Sequence, residues 1–203
     1  MNLNRRIGMA GTAVAGISAA CFAVFLLAGF DFGSYLVCIF LALGYLMTAA
    51  GIHSGCRRER SAAGALSVAL AGIYAAIILT VYFAQLTAVR LDALGETALR
   101  ILDYKRLGLF FSLDLLGYGM LSLSMLFAGL ALNVKSKRDK ALRTLLIIHG
   151  IFFISCFVVP MLGVFSPDMQ GGETAGVILL EIWCACFLPV TALAFRHFRE
   201  QKK

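Results

Sequence analysis

Three side chains able to carry charge interrupt long apolar stretches of this 203-residue sequence: Asp114, His149 and Glu181. An ionisable group at bilayer depth costs roughly 2.5–3.5 kcal/mol by insertion scales. Such groups therefore face a partner or a wet cavity, and they mark binding pockets, ion paths or proton relays. Tyr118 follows Asp114 by one helical turn, so both project from one face with Gly117, Leu121, Ser122, Met125 and Gly129. At 1.5 Å per residue, Asp114 and Glu181 each lie roughly 10 Å inside one end of their helices, and His149 about 9 Å inside the other end. Two arrangements fit these residue types. One is a polar pocket or proton path lined by Asp114, Tyr118, His149 and Glu181. The other is an interhelical hydrogen-bond cluster that fixes packing.

Other chemistries lack their residues. The sequence has no H-E-x-x-H zinc motif and no phosphate-binding G-x-x-x-x-G-K-[ST]. It has no G-x-S-x-G nucleophile turn. His53, His149 and His197 form no obvious axial pair for a haem, so no metal or cofactor is expected and no catalytic residue is assigned. Five of the six cysteines lie inside apolar runs, and Cys56 sits beside Arg57 and Arg58. That is packing usage, not a disulfide framework. Cys184 and Cys186 point about 200° apart on a helix, which excludes a metal pair.

These residues must be positioned by helices. The chain is 61% hydrophobic and 14% charged, well away from a soluble domain. The pattern predicts an all-α, polytopic membrane helix bundle of one domain, with spans near 7–30, 35–53, 62–89, 108–132, 144–165 and 175–195. Residues 90–106 are too charged to cross. Leu91, Leu94, Ala98, Ile101 and Leu102 recur there at helical spacing, which predicts an amphipathic surface helix with a Glu96–Arg100 pair. Ser18-Ala19-Ala20-Cys21 resembles a lipoprotein cleavage box, but the apolar run continues to Phe30, so the segment reads as a span. Gly8, Thr12, Gly16 and Ala20 repeat every four residues on it, a close-packing stripe usable within the chain or for dimerisation. L-G-Y-x-M occurs at 43–47 and again at 116–120, a hint of a duplicated hairpin.

The net charge of +7 does not mark a nucleic-acid binder, because the basic residues sit in short clusters between apolar runs. Of the 18 Lys and Arg, only Arg90, Arg100, Lys105 and Arg106 lie on the side opposite the termini. The positive-inside rule then puts both termini in the cytoplasm. The lipid bilayer is the first partner.

The stretches DLLGYGMLSLSMLFAGLAL at 114–132 and LIIHGIFFISCFVVPMLGVF at 146–165 resemble a group of short bacterial inner-membrane proteins of uncharacterised function. The resemblance implies a bacterial, six-span protein of the inner membrane and no particular activity.

Two function classes follow. The first is a small carrier or ligand-binding membrane protein, its ligand a small molecule or a proton. The second is a non-catalytic subunit that packs against another membrane protein or a second copy. A membrane-embedded enzyme ranks below both. A reporter fused after Lys203 is expected to be active in the cytoplasm, and one inserted near Gly171 outside it; a cytoplasmic signal at Gly171 contradicts the segmentation.

Overall fold

The computed structural model of the chain describes residues 2–91, 94–163 and 172–200. Among the described residues six helical stretches are long and apolar enough to cross a membrane: Leu3–Leu27, Asp31–Ser54, Arg58–Val89, Leu109–Ala131, Lys137–Met161 and Gly176–Glu200. Among the described residues there is no strand.

Helix α1 (Leu3–Leu27) starts where the Asn2 side chain accepts from the Arg5 amide at 3.0 Å. It ends at Gly29, whose φ of +65° lets the chain reverse directly into α2 (Asp31–Ser54). A 3₁₀ turn at Arg58–Arg60 leads into α3 (Ser61–Ala84), which widens into one π turn at Gln85–Val89. The short α4 (Glu96–Leu102) and a 3₁₀ turn at Tyr104–Arg106 precede α5 (Leu109–Ala131). Then come α6 (Lys137–His149), α7 (Phe152–Met161) and α8 (Gly172–Glu200).

The helices form a ring in which α8, α1, α2, α3 and α5 are successive neighbours and α6 closes it back onto α8. Helix α2 also meets α5 across the middle. Apolar side chains such as Val24, Phe40, Phe83 and Ile182 point outward, while Thr12, Thr48, Ser67, Ser122 and Ser124 are buried. Lipid gives apolar helices no reason to associate with one another, so close packing and interior hydrogen bonds must hold such a bundle. The small-residue stripe does this work inside the chain. A side chain on Gly11 would meet the Gly44 carbonyl at 2.7 Å, and one on Gly44 would meet the Ala15 amide at 2.6 Å. Gly8 lies against Gly51 and Phe198, and Gly16 against Thr191.

One end of the bundle gathers the termini and basic loops. Arg5 donates to the Phe198 and Arg199 carbonyls, Arg60 to the Leu132 carbonyl at 3.0 Å, and Arg138 pairs with Glu200 at 2.6 Å. His197 Nδ1 lies 2.5 Å from Asp139 Oδ1, joining α8 to α6.

Besides shifts of a few residues at the ends of the other spans, the surface helix and the fifth span differ from expectation. The surface helix is seven residues long and does not span 90–106. Gly95 supplies an extended cap at its start, and the Asp103 carboxyl takes the Lys105 amide, so the chain turns instead of continuing. Asp92 lies outside the described residues. Within this segment Glu96 pairs with Arg100 at 3.7 Å and also takes Arg106, whose guanidinium holds the Glu96 carboxyl below its ordinary range. The fifth span starts earlier, at Lys137, because Ser136 and Asp139 form a capping box. It then breaks at Gly150–Ile151, where the amides reach back only three residues. The turn expected at 166–174 lies largely outside the described residues.

Substituting Gly44 with Leu is expected to force α1 and α2 apart and cost about 1–3 kcal/mol or more, as overpacked cores do. Gly72→Ala is the control, since a methyl there meets nothing within 4 Å. Thermal unfolding in detergent measures both; equal midpoints would mean that the α1–α2 approach is not a stabilising contact.

Candidate functional site

Asp114 sits in the second turn of α5 and is 3% exposed. The bundle carries it inward because Gly117 admits Ile78 of α3 at close range, pressing that face of α5 against α3. The side chains of Tyr82, from α3, and Tyr104, from the 3₁₀ turn, lie beside its carboxyl. The Tyr35 ring, from α2, lies 5.5 Å from Tyr82 and 6.2 Å from Tyr104, and Tyr82 lies 6.4 Å from Tyr104. Three tyrosines thus close over one carboxyl. Its Oδ1 is buried with no hydrogen bond, and among the described residues no ion pair involves it.

Gln85 holds this lid in place. Its side chain is 3% exposed, donates to the Leu102 carbonyl at 2.7 Å and accepts from the Tyr104 amide at 3.1 Å. Outside Gln85 opens a cleft of about 370 Å³, lined among others by Asp31, Tyr35, Arg90, Asp103 and Lys105. Lys105 bridges to Asp31 at 2.5 Å, and the Arg90 guanidinium lies 5.4 Å from the Phe32 ring centre.

Deeper in the bundle the aromatic path continues. Tyr118, one turn from Asp114, donates to Cys38 Sγ at 3.6 Å. Its ring touches Tyr74 at 5.7 Å and Trp183 at 5.3 Å. Trp183 stacks on Phe187 at 4.8 Å. His149, 2% exposed, is packed against Phe152, Trp183 and Phe187, with neither ring nitrogen hydrogen-bonded. Tyr45 and Tyr118, the tyrosines of the two L-G-Y-x-M stretches, flank Tyr74 from opposite sides. Below them Ser124 donates to the Ser67 carbonyl at 2.7 Å, leaving its oxygen to accept from the Tyr45 hydroxyl at 2.9 Å.

The structure therefore brings Asp114 and Tyr118 together and sets His149 further along, beyond Trp183. Glu181 stands apart. It lies about 200° around α8 from Trp183, so the face of α8 that meets Tyr118 is not the one carrying Glu181. Its Oε1 is buried without a hydrogen bond. Tyr35, Tyr82, Tyr104, Gln85 and Cys38 complete the site and were not among the expected lining residues. Tyr82 looks in sequence like a headgroup anchor at a helix end; it is instead buried at 3%. Among the described residues no group of three His, Cys, Asp or Glu is placed to hold a metal. Comparison with models of known families, with curated proteins and with solved structures finds no match to the chain.

Asp114→Asn is expected to keep nearly the full thermal stability, since an amide oxygen can still accept from Tyr82 and Tyr104. Asp114→Leu leaves both hydroxyls without that acceptor, at about 1–3 kcal/mol each. Unfolding in detergent separates the two; an Asn variant as unstable as Leu would make the carboxyl a packing group only.

Proposed function

We propose that the protein is a small membrane carrier or ligand-binding protein, with its termini in the cytoplasm and the 370 Å³ cleft facing the other side. The observation that supports this is the arrangement at the cleft floor. A buried carboxyl with one unbonded oxygen lies behind the tyrosines, and a glutamine that lines the cleft bonds to the Tyr104 amide. The volume is in the range of small-ligand pockets. A bundle stabilised by packing alone gains nothing from an unpaired carboxyl, because each unmet buried hydrogen bond costs about 1–3 kcal/mol. On this reading, the cleft reaches Asp114 and Tyr118 when the Tyr104 turn moves outward.

The alternative, a non-catalytic subunit docking through the small-residue stripe of α1, loses part of that surface: Gly8 packs on Gly51 and Phe198 and Gly16 on Thr191, while Ala20 is exposed.

Cys38 reports on the opening. It is 0% exposed and hydrogen-bonded by Tyr118. In the purified native protein, the neutral reagent 2-hydroxyethyl methanethiosulfonate is expected to modify Cys38 slowly, and about tenfold faster in Gln85→Ala, a change of about 1.4 kcal/mol in opening. Cys184, 2% exposed on α8, should not accelerate. Peptide mapping by mass spectrometry reads both sites. Modification of Cys38 only after unfolding would remove the carrier reading.

A further inference from the structure

At the start of α6, on the end of the bundle that gathers the termini, cations stand without partners beside an apolar outward face. We infer that Lys137, Lys140 and Arg143 form a site for the phosphate of an anionic phospholipid, whose acyl chains lie along the outward face of α6.

The three cations occupy every third position of one helix, so neighbouring side chains leave it side by side. Lys137 and Lys140 are exposed and Arg143 is half-buried. Among the described residues none of the three takes part in an ion pair. The acidic groups of α6 and α8 at this end are engaged elsewhere. Asp139 turns inward to His197 at 2.5 Å, and its other oxygen takes the Lys135 and Ser136 amides, each at 2.9 Å. Glu200 takes Arg138 at 2.6 Å. The capping box already fills amides at the start of α6, so side chains and not the helix end would hold the anion.

Arg143 sets the demand. It stands one turn, about 6 Å, further along α6 than Asp139, on the bilayer side of the Asp139–His197 tie. A guanidinium stays charged in any surroundings, and one without a partner beside hydrocarbon is costly. Helical side chains lean toward the start of their helix, which directs Arg143 back toward Lys140. A phosphate diester meets the need. Its oxygens match the guanidinium fork and also accept from ammonium groups.

The face beyond the cations favours a lipid over a free anion. Ile148 follows Lys137 by three turns on the same side of α6 and is 52% exposed. In the apolar window of this span 11% of the residues are buried inside the protein, against 33–50% in the other five spans. This is therefore the span that offers most of itself to lipid. A charged foot and an apolar shaft on one outward face suit a phosphate joined to acyl chains.

The test is native mass spectrometry of the full chain in detergent, titrated with dioleoyl phosphatidylglycerol, with dioleoyl phosphatidylcholine and, separately, with inorganic phosphate. Phosphatidylglycerol is expected to bind at least about tenfold more tightly than phosphatidylcholine. Arg143→Gln, and separately Lys137→Gln with Lys140→Gln, should each cut that preference about threefold or more. The lysine pair is exposed, so it carries the test if Arg143→Gln does not fold. Arg57 and Arg58 are exposed cations in the turn between α2 and α3. Changing both to Gln removes as much charge as the lysine pair and should leave the preference unchanged. Equal binding of the two lipids overturns the inference, as does a preference that survives both α6 variants. An equal loss on changing Arg57 and Arg58 also overturns it, because the attraction would then belong to total charge. Inorganic phosphate binding as tightly as phosphatidylglycerol would make this a free-anion site and remove the lipid.

Discussion

A carboxyl group inside an apolar bundle has to be answered by something, and the upper half of this molecule is arranged around how Asp114 is answered. Tyr82 and Tyr104 lie beside it, Tyr35 closes the third side, and one oxygen remains unbonded. Each of these groups comes from a different element, so the carboxyl ties α2, α3, α5 and the Tyr104 turn to one point. Gln85 completes the arrangement by fastening the turn from outside. Much of the rest of the interior is polar but uncharged, with serine, threonine and tyrosine hydroxyls bonded to one another or to helix carbonyls. Thr12, Thr48 and Ser122 each donate to a carbonyl of the preceding turn, the usual solution for a hydroxyl in lipid.

The bundle that presents this site is built from close backbone approach, not from bulky core residues. Gly11 on Gly44 and Gly8 on Gly51 bring α1 and α2 together over much of their length. That pairing and the α1–α8 contact use the face of α1 that the sequence left free for either internal or external use. The largest fully buried side chains include Tyr74 of α3 and Phe187 and Phe198 of α8, together with Leu41, Ile78, Leu121, Met125, Leu142 and Leu146.

How much of this was readable without coordinates depends on the kind of signal. Six apolar runs and a charged interruption are composition, and they survive in the structure. Asp114 stands out because nothing around it in sequence is charged. Tyr82 and Gln85 do not stand out, because α3 is apolar on all sides and no periodicity says which face turns inward. Tyr104 sits in a segment rich in charge, where an aromatic residue reads as surface; only the tertiary fold returns it to the carboxyl. The early start of α6 was carried by Ser136 and Asp139 at capping-box spacing, obscured by the dense Lys and Arg around them. The break at Gly150 has no such signature, since glycine is common in membrane helices. Matching depth drew Glu181 toward Asp114 on paper, but depth along an axis says nothing of azimuth around it.

That break has a mechanical consequence. Helix α6 is anchored on both α5 and α8, whereas α7 has no buried residue and meets α5 through Phe157 and Cys156 beside Gly119. An element with so little of itself inside the protein takes its inclination from the surrounding acyl chains. In a thinner membrane α7 can lie flatter by pivoting at Gly150–Ile151, and in a thicker one it can stand upright, at a cost of only fractions of a kcal/mol per Å of mismatch. On this account the half-helix is where bilayer thickness is translated into shape.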